Sequence, residues 1–374
     1  MSCYREIIRG INAFSQSRAD WHTALFSPAD NYVQLLRDLR PDGLILGYVH
    51  DAAQAAEACK QVRHVVGVCG QTERLGLAEM PQVESDDEAV GKLAAQHFLD
   101  RGFTNFSYVG SNDIWSQRRW AGYQQVVKEA GFEVSLQLFD PGSVTAGRGW
   151  EKPHYSADMV TWLSAQKKPL ALLACNDVRG RDVTETCRDA GVHVPDEVAI
   201  LGVDDDDLDC VLSHPHLSSV VIPWQRIGSE AASLVDRAMD GEIVLSKMYG
   251  VPPVGIAERQ STDTLAISDV DVAAAIRFIR ENAHQQIGVE DVLRAVPVAR
   301  RSMEVNFRKL LGRSPHDEIR RVRLATAKHL LAGTELTMPA VAERSGFGNA
   351  ARFSTVFHSE VGETPSEYRK RYRR

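Results

Sequence analysis

The chain has 374 residues, of which 44% are hydrophobic and 25% are charged, and its formal net charge is −7. This length exceeds what one hydrophobic core usually organises, so two or three domains are expected. The composition excludes a disordered or fibrous protein, and apolar runs such as residues 170–175 are too short to span a bilayer. Charged residues lie where a signal peptide needs an apolar core, so we predict a cytoplasmic protein without membrane contact.

Residues 1–267 alternate short β-branched runs with amphipathic stretches. Helices are predicted at 5–13, 33–39, 52–62, 89–101, 120–131 and 156–166, with a further helix that ends at Gly191. Strands are predicted at 22–26, 43–49, 64–70, 106–111, 133–139, 170–176 and 198–205. Strands that alternate with helices in this way indicate parallel sheets built from right-handed βαβ units. Because one sheet seldom uses about 260 residues, we predict two doubly wound lobes with a cleft.

Polar residues follow the strands of the second predicted lobe, where parallel sheets bind their ligands. Carboxylates, amides and guanidinium groups together suit paired hydrogen bonds to vicinal hydroxyls, and an indole can cover the apolar face of a sugar. We therefore predict a sugar site built from Trp115, Arg118, Arg119, Asn176, Asp177 and Asp204. The alternative is helix capping, which Asp and Asn often provide. We favour capping or a solvated loop for Asp205, Asp206 and Asp207.

Signatures of catalysis and of cofactor binding are absent from the sequence. There is no GxGxxG, no GxxxxGK[ST] and no GxSxG. The six cysteines include no CxxC pair, and the "HPH" at 214–216 has no nearby third ligand. We therefore predict no enzyme activity, no cofactor and no metal.

Four segments resemble the ligand-binding domains of LacI-type repressors and periplasmic sugar-binding proteins. They are "RRWAGY" (118–123), "ACND" (174–177), "PDEVAILGVDDD" (195–206) and "HLSSVVIPWQRIG" (216–228). The resemblance covers most of residues 1–260 and implies two lobes joined by three crossovers, with the ligand closing the hinge. By the same resemblance, Arg119, Asn176 and Asp204 fall on positions that hold sugar hydroxyls.

The sequence departs from that family at its start. The family begins with a central strand before the first helix, whereas here a helical pattern starts within a few residues of Met1, at "CYREIIRGI". We expect either a start upstream of Met1 or a first lobe that lacks this strand, which would leave unpaired strand edges. The predicted sensor domain spans 1–262, and residues 263–268 form a linker.

The tail, residues 269–374, is helical and basic. Residues 268–374 carry 19 Lys and Arg against 13 Asp and Glu, a balance that suits a polyanionic partner. After one amphipathic helix, a short helix at 289–295 meets a turn at Pro297, which prevents one continuous helix. A second helix then follows at 300–311. This is the helix-turn-helix pattern, whose second helix enters the DNA major groove. Its predicted DNA-facing residues are Arg300, Arg301, Glu304 and Arg308.

The same arrangement recurs further along the tail. A long helix leads to a short helix at 338–344, the turn "SGFG", and a second helix at 349–360. The predicted DNA-facing residues here are Asn349, Ala350, Arg352 and Thr355. Two such units would contact successive major-groove segments of double-stranded DNA. A helical oligomerisation bundle is the alternative, but it leaves the basic faces and the paired turns unexplained.

The tail closely resembles the DNA-binding domain of the AraC family. The resemblance rests on "LGRSPHDEIRRVRLATAKHLL" and "VAERSGFGNAARFSTVFHSEVGETPSEYR" and covers residues 269–374. Two departures are Ala299, where the family often has a capping Ser, and Arg352, where it often has an aromatic residue. The predicted fold is therefore α/β plus all-α: a two-lobed periplasmic-binding-protein-like sensor with parallel sheets, followed by an all-helical domain with two helix-turn-helix units.

A LacI-like sensor joined to an AraC-like tail resembles the layout of xylose-operon regulators. The resemblance implies a homodimer that binds an operator, works with RNA polymerase, and activates pentose-catabolism genes when a sugar closes the cleft. D-xylose is the predicted effector, and another pentose, a hexose or another small polar ligand is the alternative. A sugar-processing enzyme with a regulatory tail is a further alternative, but no nucleophile or acid–base pair is evident.

Overall fold

The computed structural model describes residues 2–27, 30–47, 51–69, 80–139, 157–264, 266–267 and 269–372. Two compact units can be distinguished. The first draws on residues up to Asp87 and on Ile222–Pro253, and the second on Glu88–Val221 and on the chain from Val254 onward. The chain therefore passes between the units three times, as the family resemblance implied. The helical tail belongs to the second unit.

The strands and helices are numbered in chain order. The strands are β1 (Gly43–Leu46), β2 (His64–Val68), β3 (Gln82–Ser85), β4 (Asn105–Ser111), β5 (Val134–Phe139), β6 (Leu170–Ala174), β7 (Val198–Val203), β8 (Ser218–Val221), β9 (Met248–Val251) and β10 (Gly255–Ala257). The helices before the tail are α1 (Ser2–Gln16), α2 (Tyr32–Leu39), α3 (Ala52–Gln61), α4 (Asp87–Leu99), α5 (Ile114–Glu129), α6 (Ala157–Ala165), α7 (Asp177–Asp189), α8 (Asp207–Leu212), α9 (Trp224–Met239) and a 3-10 helix (Gln260–Thr262). The tail helices are α10 (Val270–Asn282), α11 (Val289–Ala295), α12 (Arg300–Leu311), α13 (Pro315–Gly333), α14 (Met338–Arg344), α15 (Ala350–Val361) and α16 (Pro365–Tyr372).

The first unit contains a parallel sheet in the order β1-β2-β3-β9. The first described helix, α1, begins at Ser2. The strand predicted at 22–26 is wrong, because these residues form no regular structure and Leu25 is 72% exposed. Phe26 instead packs against the small core of Leu36, Ala58 and Val62. This segment therefore contributes one side chain to a core between helices without pairing in a sheet.

The second unit contains a six-stranded sheet in the order β10-β8-β7-β6-β4-β5. All neighbouring strands are parallel except β10, which pairs with β8 in the antiparallel direction. Every residue of β6 and β7 is buried, because helices cover both faces of such a sheet. Their carboxyl ends deliver Asn176 and Asp204 to the same edge of the sheet.

The tail folds into two small cores, each of which supports one helix-turn-helix pair. Met303 and Phe307 of α12 pack with α10 and α11 in the first core, and Phe353 and Phe357 of α15 pack with α14 in the second. Helix α13 connects the cores. Its Arg323 donates hydrogen bonds to the carbonyl oxygens of Ala283, Gln285 and Ile287. The two helix-turn-helix units are therefore fixed to one another.

Gly346 in the second turn contributes to the same junction. Its φ is +82°, a conformation that L side chains rarely adopt, and a Cβ atom there would lie 2.0 Å from the Ala283 carbonyl oxygen. Only glycine allows the turn to approach the end of α10 this closely.

Candidate functional site

Arg119 is the centre of the candidate effector site in the second unit. It lies on α5, is 3% exposed, and donates from Nη1 to the Cys175 carbonyl oxygen at 2.5 Å. Its Nη2 lies 3.6 Å from Oδ1 of Asp204. The Trp115 ring, one helical turn earlier, lies with its centroid 4.9 Å from the guanidinium carbon. Three residues predicted from the sequence are thus brought together, and Arg118 is half-buried beside them on α5.

Asp204 has an unusual backbone conformation. It follows β7 with φ at +112°, and its N–H donates to the Val220 carbonyl oxygen at 3.0 Å. Such a conformation costs a non-glycine residue about 1–3 kcal/mol and occurs most often at functional sites. Neighbouring strands hold the Asp204 carboxylate beside Arg119 despite this cost, which is the arrangement expected of a ligand contact.

Two of the other three aspartates after β7 have structural partners. Asp205 forms an ion pair with Arg259 at 2.8 Å, and Asp206 caps α8 by accepting from the N–H groups of Leu208 and Asp209. Asp207 is exposed at the start of α8. The preference for capping or loop roles at these positions agrees with this geometry.

Asp177 was predicted to contact the ligand, and the structure does not support this. It is 1% exposed and accepts hydrogen bonds from Ser219 Oγ at 2.6 Å and from the Asp206 N–H at 2.7 Å. Burial, together with the charge of Asp204, raises the pKa of its carboxyl well above the usual range. Both carboxylate oxygens are therefore occupied in joining β8 to the loop after β7.

Asn176 combines the two roles that its sequence position left open. Its Oδ1 accepts from the Arg179 N–H at 2.9 Å and caps α7, which is the capping alternative. Its amide nitrogen makes no hydrogen bond with the described residues, and the side chain is half-buried. A ligand contact through that nitrogen stays a prediction.

The first candidate nucleic-acid interface is the outer face of α12. Arg301 and Arg308 are exposed and form no ion pair with the described residues. Arg300 is paired instead with Glu290 at 2.6 Å and with Glu304 at 3.1 Å. Val305, which the sequence analysis missed, is 55% exposed between the two unpaired arginines. An apolar residue in a helix is usually expected to lie in the core. Val305, however, is four residues after Arg301 and three before Arg308, so it lies on the same face of α12 as these arginines.

The second candidate interface is the start and outer face of α15. Asn349 caps the helix by accepting from the Arg352 N–H at 2.8 Å, which leaves its amide nitrogen for another partner. The Arg352 side chain is exposed and Ala350 is half-buried. Thr355 is exposed and its hydroxyl donates to the Ala351 carbonyl oxygen at 3.1 Å. The residues predicted to face DNA therefore lie around the first two turns of α15.

The described parts of the chain lack two further classes of site. Those parts contain no helix with the length and apolar character needed to cross a membrane. They also contain no group of three or more His, Cys, Asp or Glu side chains arranged to hold a metal ion.

Two family models match the chain. Residues 95–262 match a periplasmic binding protein-like domain, and residues 292–371 match a helix-turn-helix domain. The first range contains Arg119, Asn176 and Asp204, and the second contains the outer faces of α12 and α15.

Similar proteins span the whole chain. The xylose operon regulatory protein of Escherichia coli strain K12 is 28% identical over 98% of this chain and 93% of its own length. The protein of that name in Haemophilus influenzae is 24% identical over 98% of this chain and 94% of its own length. The solved structure of a xylose-binding transcription activator, XylR, covers 100% of this chain and 96% of its own, with 25% identity and a TM-score of 0.58. These relatives are named as regulators of an operon or of transcription.

Proposed function

We propose that this chain, a sugar-responsive DNA-binding transcription regulator homologous to the xylose operon regulatory proteins, activates pentose-catabolism genes when D-xylose binds its sensor. Its combination of a periplasmic-binding-protein-like domain with a helix-turn-helix tail was predicted from the sequence and is confirmed by the family models. The proposal adds two points: D-xylose is the effector, and activation of transcription is the outcome. They are supported by what the relatives are named for.

One observation carries the proposal. The second unit contains both the cluster of Trp115, Arg119 and Asp204 and a tail with two helix-turn-helix pairs. The Asp204 carboxylate accepts hydrogen bonds from sugar hydroxyls, Arg119 donates to a hydroxyl oxygen, and Trp115 covers the apolar ring face. This combination suits a neutral polyhydroxylated ligand and offers nothing that would break a bond in it.

Regulation requires the sugar to favour one conformation of the sensor, because a ligand shifts a population only through differential affinity. The proposal therefore includes a closed, sugar-bound sensor whose tail engages the operator. It also includes a homodimer that recruits RNA polymerase in the cytoplasm, a sensor domain at 1–262 and a tail from 269. The basic tail supports the operator contact by attracting DNA phosphates.

A thermal-shift screen of pentoses and hexoses tests the effector. A ligand that binds only the native state raises the melting temperature, and one present at about 100 times its Kd stabilises by about 2.7 kcal/mol. D-xylose is expected to give the largest increase, and Asp204→Ala to abolish it. Asp207→Asn, an exposed aspartate three residues away, is the matched control and should respond like the parent. A panel without any effect, or an Asp204→Ala variant that responds normally, would contradict the proposed site.

A further inference from the structure

Helix α13 contacts the sensor lobe of the second unit at both of its ends. Helix α4 starts at Asp87, where the chain first enters this unit, and it leads to Asp100. Val221 and Val254 lie at the second and third passages between the units. The first end of α13 contacts Asp100, and the last turn contacts Val221 and Val254. The second and third passages therefore lie against the last turn of α13, and the helix that follows the first passage ends beside its start.

The contact at the start of α13 is a network of charged groups. Arg313, just before the helix, donates to Asp100 Oδ1 at 2.9 Å and to Glu318 Oε2 at 2.6 Å. Arg321 lies 2.9 Å from Asp100 Oδ2 and donates to Glu318 Oε1 at 2.8 Å. Asp100 is 4% exposed and Glu318 is fully buried. We call Asp100, Arg313, Glu318 and Arg321 the ion cluster.

The surroundings of the ion cluster make Asp100 essential to its charge balance. Burial and the neighbouring Arg101 lower the pKa of Arg280 to about 10, which shows that arginines crowd this region. Arg101 is paired with Glu258 at 2.7 Å. Asp100 is the sensor-lobe carboxylate that both tail arginines of the cluster share. Without its charge, Glu318 and the more distant Glu258 would be the carboxylates left near Arg321, and Arg313 would keep only its hydrogen bond to the Asp100 carbonyl oxygen on the lobe.

The contact at the end of α13 is apolar. Ala332 is 1% exposed and packs with Val221, Val254 and Ala257. The Tyr368 hydroxyl of α16 donates to the Val254 carbonyl oxygen at 3.4 Å. The helix has 19 residues and is therefore about 28 Å long, so the two contacts lie far apart on one rigid element.

We propose that α13 is the element through which the sensor controls both helix-turn-helix units: it is docked on the segments that change when the lobes close, and it carries the tail with them. The inference rests on the proposed function. Closure alters the backbone at the passages of Val221 and Val254, and Ala332 passes that change to α13. The ion cluster holds the other end of the helix, so α13 moves as a rigid body and stays helical.

Coupling is measured as the ratio of duplex-DNA affinities with and without D-xylose, on a duplex enriched from a random pool. Allosteric coupling of this kind is typically about 5- to 150-fold. Asp100→Asn and Ala332→Leu are each expected to bring the ratio to near one, while D-xylose still raises the melting temperature. Arg320→Gln is the matched control, since Arg320 is also on α13 but, among the described residues, its ion pairs are with Asp317 and Glu360 of the tail. It should keep the parent ratio.

Amide hydrogen exchange of the chain without sugar or DNA tests the docking separately from the function. Asp100→Asn is expected to increase exchange at the end of α4 and the first turns of α13, and Arg320→Gln to leave α4 unchanged. The proposal is overturned if Asp100→Asn and Ala332→Leu both keep the parent's ratio of DNA affinities with and without D-xylose. It is also overturned if amide exchange in Asp100→Asn equals that of the parent. A parent whose DNA affinity ignores every sugar contradicts the proposed function instead, and exchange then decides whether the helix is docked.

Discussion

Arg300 and Arg301 are neighbours on α12 with different surroundings. Arg300 is held by Glu290 and Glu304, whereas Arg301 forms no ion pair among the described residues. We expect Arg301→Ala to weaken binding to the selected duplex by about 1–3 kcal/mol through loss of a base contact. Arg300→Ala, the matched control, should lose less. Competitive binding against random DNA measures the difference, and an equal loss on both duplexes would make Arg301 a phosphate contact.

Glu318 makes the free energy of unfolding depend on pH in the acidic range. Burial by itself raises the pKa of this carboxyl, but the hydrogen bonds from Arg321 and the charge of Arg313 outweigh it and lower the pKa from 4.5 to about 2. Because the folded-state value is the lower one, the stabilisation is complete above about pH 5 and is lost as the pH falls toward 2. At about 1.4 kcal/mol per pKa unit, the loss approaches about 3 kcal/mol.

Denaturant unfolding between pH 6 and about pH 2 tests this, with Glu318→Gln as the comparison. The parent is expected to lose more stability than Glu318→Gln across that window. Parallel curves for the two proteins would show that the Glu318 carboxylate contributes nothing to the acid dependence.

The structure places Arg119 of α5 beside Asp204, which follows β7, and their role as ligand contacts stays a prediction. Asp177 was also predicted as a ligand contact, although the family resemblance did not assign it that role, and its carboxylate turns into the protein toward Ser219. A strand end places a residue at the edge of the sheet without specifying the direction of its side chain, so the sequence could not separate these two aspartates.

Among the elements, α12 starts with a weak cap. Ala299 occupies the N-cap position and provides no side-chain hydrogen bond, whereas Asn349 caps α15. Ala299→Ser is expected to stabilise the fold by about 1 kcal/mol, and Asn349→Ala to destabilise it by about 0.5–2 kcal/mol. Thermal or denaturant unfolding measures both. A destabilised Ala299→Ser variant would mean that the α12 terminus cannot accept the cap geometry.

Most of the helices and strands could be predicted because the spacing of their apolar residues in the sequence matches the positions that are buried in the structure. Strand β3 was missed because its sequence, "QVES", is largely polar although all four of its residues are buried. The irregular segment at 22–26 was mistaken for a strand because its apolar residues are adjacent. Both errors arise where tertiary contacts, rather than local pattern, decide which residues are buried.

At the scale of the whole molecule, the sequence could not reveal how the tail meets the sensor. Asp100 and Arg313 are 213 positions apart, and neither carries a motif that indicates the other. In the sequence, Asp100 and Arg313 look like ordinary surface charges near the ends of helices. The sequence predicted the long helix between the two helix-turn-helix units, but only the folded chain shows that this helix, α13, also lies against the sensor lobe.

We propose that sugar binding to the sensor controls DNA binding by the tail of the same chain. Fluorescence anisotropy of a labelled, selected duplex titrated with the intact protein, with and without D-xylose, measures this control. Saturating D-xylose is expected to strengthen binding by about 5- to 150-fold, and Asp204→Ala is expected to remove this increase without changing binding to random DNA. Identical affinities with and without D-xylose, in a protein shown by calorimetry to bind that sugar, would contradict it.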